Sequence, residues 1–394
     1  MRRIWTVGLC VVLGGSLLFG PSAAGPADGS TRWAVCGEWR QVPVHGDNGV
    51  HARDVAVVSP TDAWLTGTSG ELFWRSSVFR WTGLRWSQVP FPVPNTGRDP
   101  EDASADDWWL GHLAVISPDE VWAVGGYTFW PKDPGHHPWL AKPLIARWDG
   151  TRWQHVPVGI PKLSGTLYSV ASIPGTDDLW AVGVRYPHGN HDHPLTLVLR
   201  WDGSAWHRYA TPNPSDHGNL LHDVAVADGT AWAVGLRQHP GSTDTLILRW
   251  TGGRWVRTPA PTPGLESSLD SVAIGSADHA WAVGTANLAA TTERAAYRGF
   301  VLRWNGTAWR ASHVLDRNSS LLDVVAASPT DIWAVGSRKG RALVLRKVGT
   351  EWRLSAVPDL PGTFTTIDGT PHNLWVGHSR VLIDTSVIDT YHRC

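Results

Sequence analysis

Seven copies of Trp-Ala-Val-Gly or a near variant, about 50 residues apart, predict an all-β chain folded as a seven-bladed β-propeller. Two further observations support this class. Each copy sits among short β-branched and aromatic runs bounded by turn residues, and no window keeps helical periodicity over a dozen residues. The chain also carries 41 Gly and 28 Pro, which punctuate short elements and do not suit long helices.

The copies lie at 122–125, 180–183, 232–235, 281–284 and 333–336, with variants at 64–67 and 375–377. Upstream stands a run such as DVAVVS (54–59), then a turn such as Ser-Pro-Thr-Asp (59–62, 328–331) or Ser-Pro-Asp-Glu (117–120). Downstream come a variable loop, a run such as LTLVLRWDGSAW (195–206), and a Trp-x-x-Val-Pro run (86–90, 153–157). Each unit therefore reads as four short strands, A to D, with B in Trp-Ala-Val-Gly and a tight C–D hairpin at Asp-Gly, Thr-Gly or Asn-Gly.

The seventh unit starts at Thr363 and has A (363–368), B (around 374–376) and C (380–384), but no fourth strand. The missing D strand is supplied by Glu38-Trp39-Arg40-Gln41-Val42-Pro43, which matches Arg85-Trp86-Ser87-Gln88-Val89-Pro90. The last blade, 363–394, is thus expected to be completed by 33–44, with 25–394 forming one propeller domain.

The repeated tryptophans of the B strands and the C–D hairpins, among 26 in the chain, are expected to be structural. Trp and Val of the B strand share one face, Ala and Gly the other, so large residues meet small ones between blades. A Trp pair flanking every C–D turn suits a device needed in every blade better than a ligand platform.

Residues 1–24 read as a secretory signal peptide: Arg2 and Arg3, an apolar stretch from Ile4 to Phe19, and a small-residue cleavage site at 22–24 or 24–27. A secreted, extracellular protein with no membrane attachment after cleavage is expected. Cys36 and Cys394 are then the two remaining cysteines, and a disulfide between them would lock ring closure, worth ~2–4 kcal/mol. A net charge of −1 argues against nucleic acid as a partner.

Function is expected where the units differ. The A–B and C–D turns are uniform, while the B–C and D–A loops vary, which marks their face as the binding face. The second unit's B–C loop holds Tyr127, Trp130, His136, His137 and Trp139; the third unit's holds Tyr186, His188, His191, Asp192 and His193. The next D–A linker adds His217. Aromatic rings with a few polar groups suit a sugar or small-molecule site. The histidine spacing is also compatible with a divalent metal, although no recognised ligand set is complete, so no cofactor is assigned. A polar ring at the start of strand A (Asp54, His112, Ser169, Asp223, Ser271, Asp323, Thr365) is expected to cap the entering loops rather than hold a cation. No nucleophile elbow, zinc-protease motif or phosphate loop occurs, so no catalytic residue is assigned.

The units resemble the WAVG-type repeats of secreted bacterial β-propellers, through Ser-Pro-Thr-Asp-x-Trp-Ala-Val-Gly (328–336) and Arg-Trp-Asp-Gly-x-x-Trp (147–153, 200–206). More distantly they are similar to tectonin and tachylectin repeats, which are lectin propellers. The Ser-x-Asp-x-Gly-x-x-Trp box of sialidase propellers is not matched: Ser59-Pro-Thr-Asp62-Ala-Trp64 lacks its glycine. The expected function is that of a monomeric protein that binds a carbohydrate or cell-envelope polymer on the variable-loop face. A polysaccharide hydrolase or lyase on the same face, and a protein-interaction scaffold, are the alternatives.

Overall fold

The computed structural model describes residues 38–44, 50–69, 75–94, 107–129, 140–189, 191–288, 297–381 and 386–393. The signal segment, Cys36 and Cys394 lie outside them.

Strand β1 (Arg40–Pro43) comes first. Blade 1 follows as β2 (Val50–Ser59), β3 (Asp62–Ser69), β4 (Arg75–Trp81) and β5 (Trp86–Val89). Blade 2 is β6 (Asp107–Ser117), β7 (Glu120–Phe129), β8 (Leu140–Trp148) and β9 (Trp153–His155). Blade 3 is β10 (Gly165–Ser172), β11 (Leu179–Arg185), β12 (Leu195–Trp201) and β13 (Trp206–Arg208). Blade 4 is β14 (Asn219–Ala227), β15 (Thr230–His239), β16 (Ser242–Trp250) and β17 (Trp255–Arg257). Blade 5 is β18 (Glu266–Ser276), β19 (His279–Asn287), β20 (Tyr297–Trp304) and β21 (Trp309–Val314). Blade 6 is β22 (Ser319–Ala326), β23 (Ile332–Arg338), β24 (Arg341–Val348) and β25 (Glu351–Leu354). Blade 7 is β26 (Thr363–Thr370), β27 (Asn373–Val381) and β28 (Ser386–Arg393), completed by β1.

Among the described residues, pairing within a blade is antiparallel, and a single parallel bridge, Thr243 to Glu266, joins blades 4 and 5. Closure is as the sequence predicts, since β1 pairs β28 from Arg40–His392 to Pro43–Asp389. Strand C of blade 7 differs from expectation. Arg380 and Val381 extend β27, and the outer strand is 386–393. Tyr391-His392-Arg393 stands where blades 3, 4 and 5 have Leu-Arg-Trp, so the motif is unrecognisable there.

The paired tryptophans are structural. In blades 1 to 5 the hairpin pair clamps the B-strand Trp of the preceding blade, blade 7 being the one that precedes blade 1. Trp64 meets Trp148 and Trp153 at ring-centroid distances of 5.0 and 5.3 Å. Trp180 meets Trp250 and Trp255 at 4.9 and 5.1 Å, and Trp232 meets Trp304 and Trp309 at 4.9 and 5.1 Å. Across the closure Trp375 meets Trp81 and Trp86, and Trp39 of the N-terminal segment meets Trp333 edge-on at 6.1 Å. All seven B-strand tryptophans are fully buried. The arginine before the hairpin covers the Trp of its own blade, as Arg80 over Trp64 at 5.0 Å, and the turn acid Asp62 holds it at 2.8 Å. Asp178 and Asp331 do the same for Arg200 and Arg346. This explains the acid in the Ser-Pro-Thr-Asp turn.

Every A strand carries a bulge at the same place, for example between Ala52 and Asp54. The residue after each bulge reaches the next blade. Leu113 N–H donates to Asp54 (2.7 Å), and His112 donates to the Val170 carbonyl (3.3 Å). Ser169 donates to Asp223 (2.6 Å), which also accepts Val272 N–H (2.7 Å). Ser271 donates to Asp323 (2.7 Å), which accepts Ile367 N–H (2.7 Å). Thr366 donates to Asp54 (3.1 Å) and closes the circuit. The predicted ring is real with two corrections. These side chains bond the neighbouring blade, not their own entering loop. The blade 7 member is Thr366, because the bulge displaces Thr365.

Candidate functional site

The structure offers three places where polar groups gather: the axial channel, its mouth, and clefts at the outer rim of the loop face.

The channel below the hydrogen-bond belt is a cavity of about 320 Å³ lined by Asp54, His112, Asp223, Ser271, Asp323 and Asp368. Burial pushes the Asp323 carboxyl up to about 7 and Asp368 up to about 6, and raises Asp54. Burial alone would lower His112, but the surrounding Asp54, Asp223 and Asp323 carboxylates outweigh it and push it up to about 9. The carboxylate oxygens of the belt are spent on inter-blade donors. Among the described residues, no three His, Cys, Asp or Glu converge as metal ligands.

At the channel mouth stand the bulge residues Tyr168, His222 and Asp270. Tyr168 packs edge-on against His222 at 5.9 Å. His222 Nδ1 bonds the Leu269 carbonyl (2.9 Å) and lies 3.7 Å from Asp270, which accepts a bond from Ser268 (3.1 Å). Burial raises the Asp270 carboxyl, opposed by His222.

The rim clefts form because the D strands are short. Strand β9 pairs only Ala146–Trp148 of β8, and Pro157 then turns the chain away toward the next blade. Blade 2 is left with a cleft of about 360 Å³ walled by Tyr127, Lys142, His155, Pro157, Ile160 and Leu163. Lys142 Nζ donates to the Leu163 carbonyl (2.8 Å), and burial lowers its pKa. Across the linker, which contributes Ile160 and Leu163 to both, lies a second cleft of about 200 Å³ bounded by Lys162, Arg185, Tyr186 and Arg208. Burial and the Tyr168 hydroxyl both raise the Tyr186 phenol.

The expected site residues divide accordingly. Tyr127 and Tyr186 each wall one of the two neighbouring clefts. His191 lies against Tyr186 with ring centroids 4.0 Å apart. His193 bonds the Asp216 carbonyl (2.9 Å) and lies 6.4 Å from the His217 ring. Asp192 is exposed. Trp130, His136, His137 and Trp139 lie outside the described residues, as does the side chain of His188. Sequence reasoning missed Lys142, His155, Arg185 and Arg208. A comparison of equivalent positions across the seven repeats is the signal that finds them.

No family model matches the chain, and no curated protein does. Among solved structures it is similar to YCF48 bound to D1 peptide: 14% identity, TM-score 0.55, covering 90% of this chain and 97% of that one. It is also similar to U3-55K (12%, TM-score 0.57, 91% and 98%) and to YCF48 from Cyanidioschyzon merolae (16%, TM-score 0.54, 90% and 98%). At these identities the likeness shows the fold. The chain is a β-propeller.

Proposed function

We propose that this is an exported binding propeller that holds a carbohydrate or other cell-envelope polymer on its loop face, across blades 2 and 3. The observation that carries this is the pair of adjacent clefts walled by Tyr127 and Tyr186 and sharing Ile160 and Leu163. Two small clefts side by side suit consecutive units of a chain, with a ring edge and a few polar groups at each. The hairpin tryptophans lend no support to a lectin role, because they are used between blades. Export rests on the sequence of residues 1–24.

A panel of soluble glycans and purified envelope polymers, tested against the mature protein, checks the reading. At least one polymer binds, and Tyr127→Ala with Tyr186→Ala weakens it about ten-fold or more. Failure to bind any polymer, or indifference to both substitutions, sinks the proposal. The hydrolase alternative is favoured by one arrangement, the Tyr168–His222–Asp270 group at the channel mouth. It requires chain cleavage that His222→Ala abolishes without loss of binding.

A further inference from the structure

We infer that the blade 3 cleft is an anion site, and that the polymer proposed above presents a carboxylate or phosphate there. The inference rests on that proposal for the identity of the ligand, but its physical basis is separate and lies in the repeat.

The rim cleft occupies the same place in blades 1, 2 and 3, and the same three strand positions recur in blade 4. It is flanked by the residue five after the B-strand Trp, the residue six before the C-strand Trp and the residue two after the D-strand Trp. In blade 4 these are Arg237, Asp244 and Arg257. Asp244 pairs with Arg237 at 2.5 Å and its charge also supports Arg257. In blade 3 the same positions are Arg185, Leu195 and Arg208. Both arginines are kept and the acid between them is replaced by an apolar residue. Arg208 is close enough for its charge to disfavour that of Arg185, which is also partly desolvated. Lys162 adds a third cation to the wall. None of Arg185, Arg208 or Lys162 has a carboxylate within 4 Å among the described residues.

Like charges held together without a counter-ion are a standing electrostatic cost, which a bound oxyanion removes. Two guanidinium groups present parallel N–H donors, and a carboxylate or phosphate can bridge them as Asp244 serves its own pair. Ile160 and Leu163, both partly buried, give the cleft an apolar wall that can receive the body of the ligand.

The test compares hexagalacturonate, its neutral methyl ester and a glycerol-phosphate oligomer, by calorimetry at low salt on the mature protein. At least one acidic oligomer binds about ten-fold or more tightly than the ester, and which one wins distinguishes uronate from phosphodiester. Leu195→Asp, which transplants the blade 4 acid into blade 3, removes the preference, as does Arg185→Gln with Arg208→Gln. Arg257→Gln leaves it unchanged. Unchanged melting temperatures establish that the variants fold. Equal binding of acid and ester, still sensitive to Tyr186→Ala, overturns the anion site and leaves the polymer reading standing. Absence of oligomer binding, with inorganic phosphate still shifting the Arg185 side-chain NMR signal of wild type but not of Leu195→Asp, does the reverse. Tighter binding of hexaglutamate than of any oligomer overturns the polymer class and points to a protein partner.

Discussion

Asp223 carries one of the heaviest loads in the inter-blade belt. Its carboxylate accepts Val224 N–H of its own blade (2.8 Å), the Ser169 hydroxyl of blade 3 (2.6 Å) and Val272 N–H of blade 5 (2.7 Å). Asp223→Ala leaves two buried donors from neighbouring blades without their acceptor. Each orphaned donor costs about 1–3 kcal/mol. Relief of the buried charge returns part of that, so the expected loss is about 2–4 kcal/mol. Asp223→Asn keeps one acceptor oxygen and should lose less. Urea unfolding followed by tryptophan fluorescence reads both variants. A double-mutant cycle with Ser169→Ala isolates the cross-blade bond, for which about 0.5–3 kcal/mol of coupling is expected. A loss under about 1 kcal/mol for Asp223→Ala, or strictly additive effects, would refute the view that the belt joins the blades.

Two further outcomes follow from the fold. Blade 6 has Lys347 where five blades have the C-strand Trp, and its ammonium sits 5.9 Å from the Trp281 ring. Lys347→Trp completes the clamp and should stabilise by about 0.5–1.5 kcal/mol in the same assay; a clear loss counts against the clamp. Stability should also fall as pH rises from 7 to 9.5. His112 is raised to about 9 in the folded chain, so its contribution is fully present below its unfolded value and is lost as pH rises through the folded one. Histidines lowered by burial, such as His378 and His392, are largely neutral in both states above pH 7 and oppose it only weakly, and the lowered Lys142 and Lys347 oppose it toward the upper end, which the His112→Asn comparison separates. Melting temperatures at pH 7 and 9.5 check this, and His112→Asn should flatten the profile. An equal or higher melting temperature at pH 9.5 in wild type rejects the assignment.

The architecture was legible because it repeats. Trp-Ala-Val-Gly or a variant marks each B strand, the Arg-Trp pair five of the C strands, and Trp39 announces a D strand without a blade of its own. Legibility failed where the repeat decays. In blade 7, Trp375-Val-Gly377 looks like a shortened copy, but the register puts Gly377 at the valine position and buries His378 at the glycine position. The bulges were invisible because an inserted residue has no side-chain signature of its own; Arg53, Gly111, Tyr168 and His222 share nothing but their place. The rim clefts were hidden for another reason. Arg185 and Arg208 are separated by a loop and two strands, and each is unremarkable alone. Their meaning depends on the absence of an acid at Leu195, which only the sister blade reveals.

Closure by β1 has a consequence for how copies of this chain can meet. Val42 and Thr390 are bonded across nearly the whole length of the polypeptide, so this contact carries a large loop-closure entropy. Until β1 arrives, the outer edge of β28 is an open template of backbone donors and acceptors. The β1 segment of a second molecule presents the same hydrogen-bonding groups to that edge. At high concentration, refolding chains can therefore exchange their first strands, and reciprocal exchange joins two complete rings into a strand-swapped dimer.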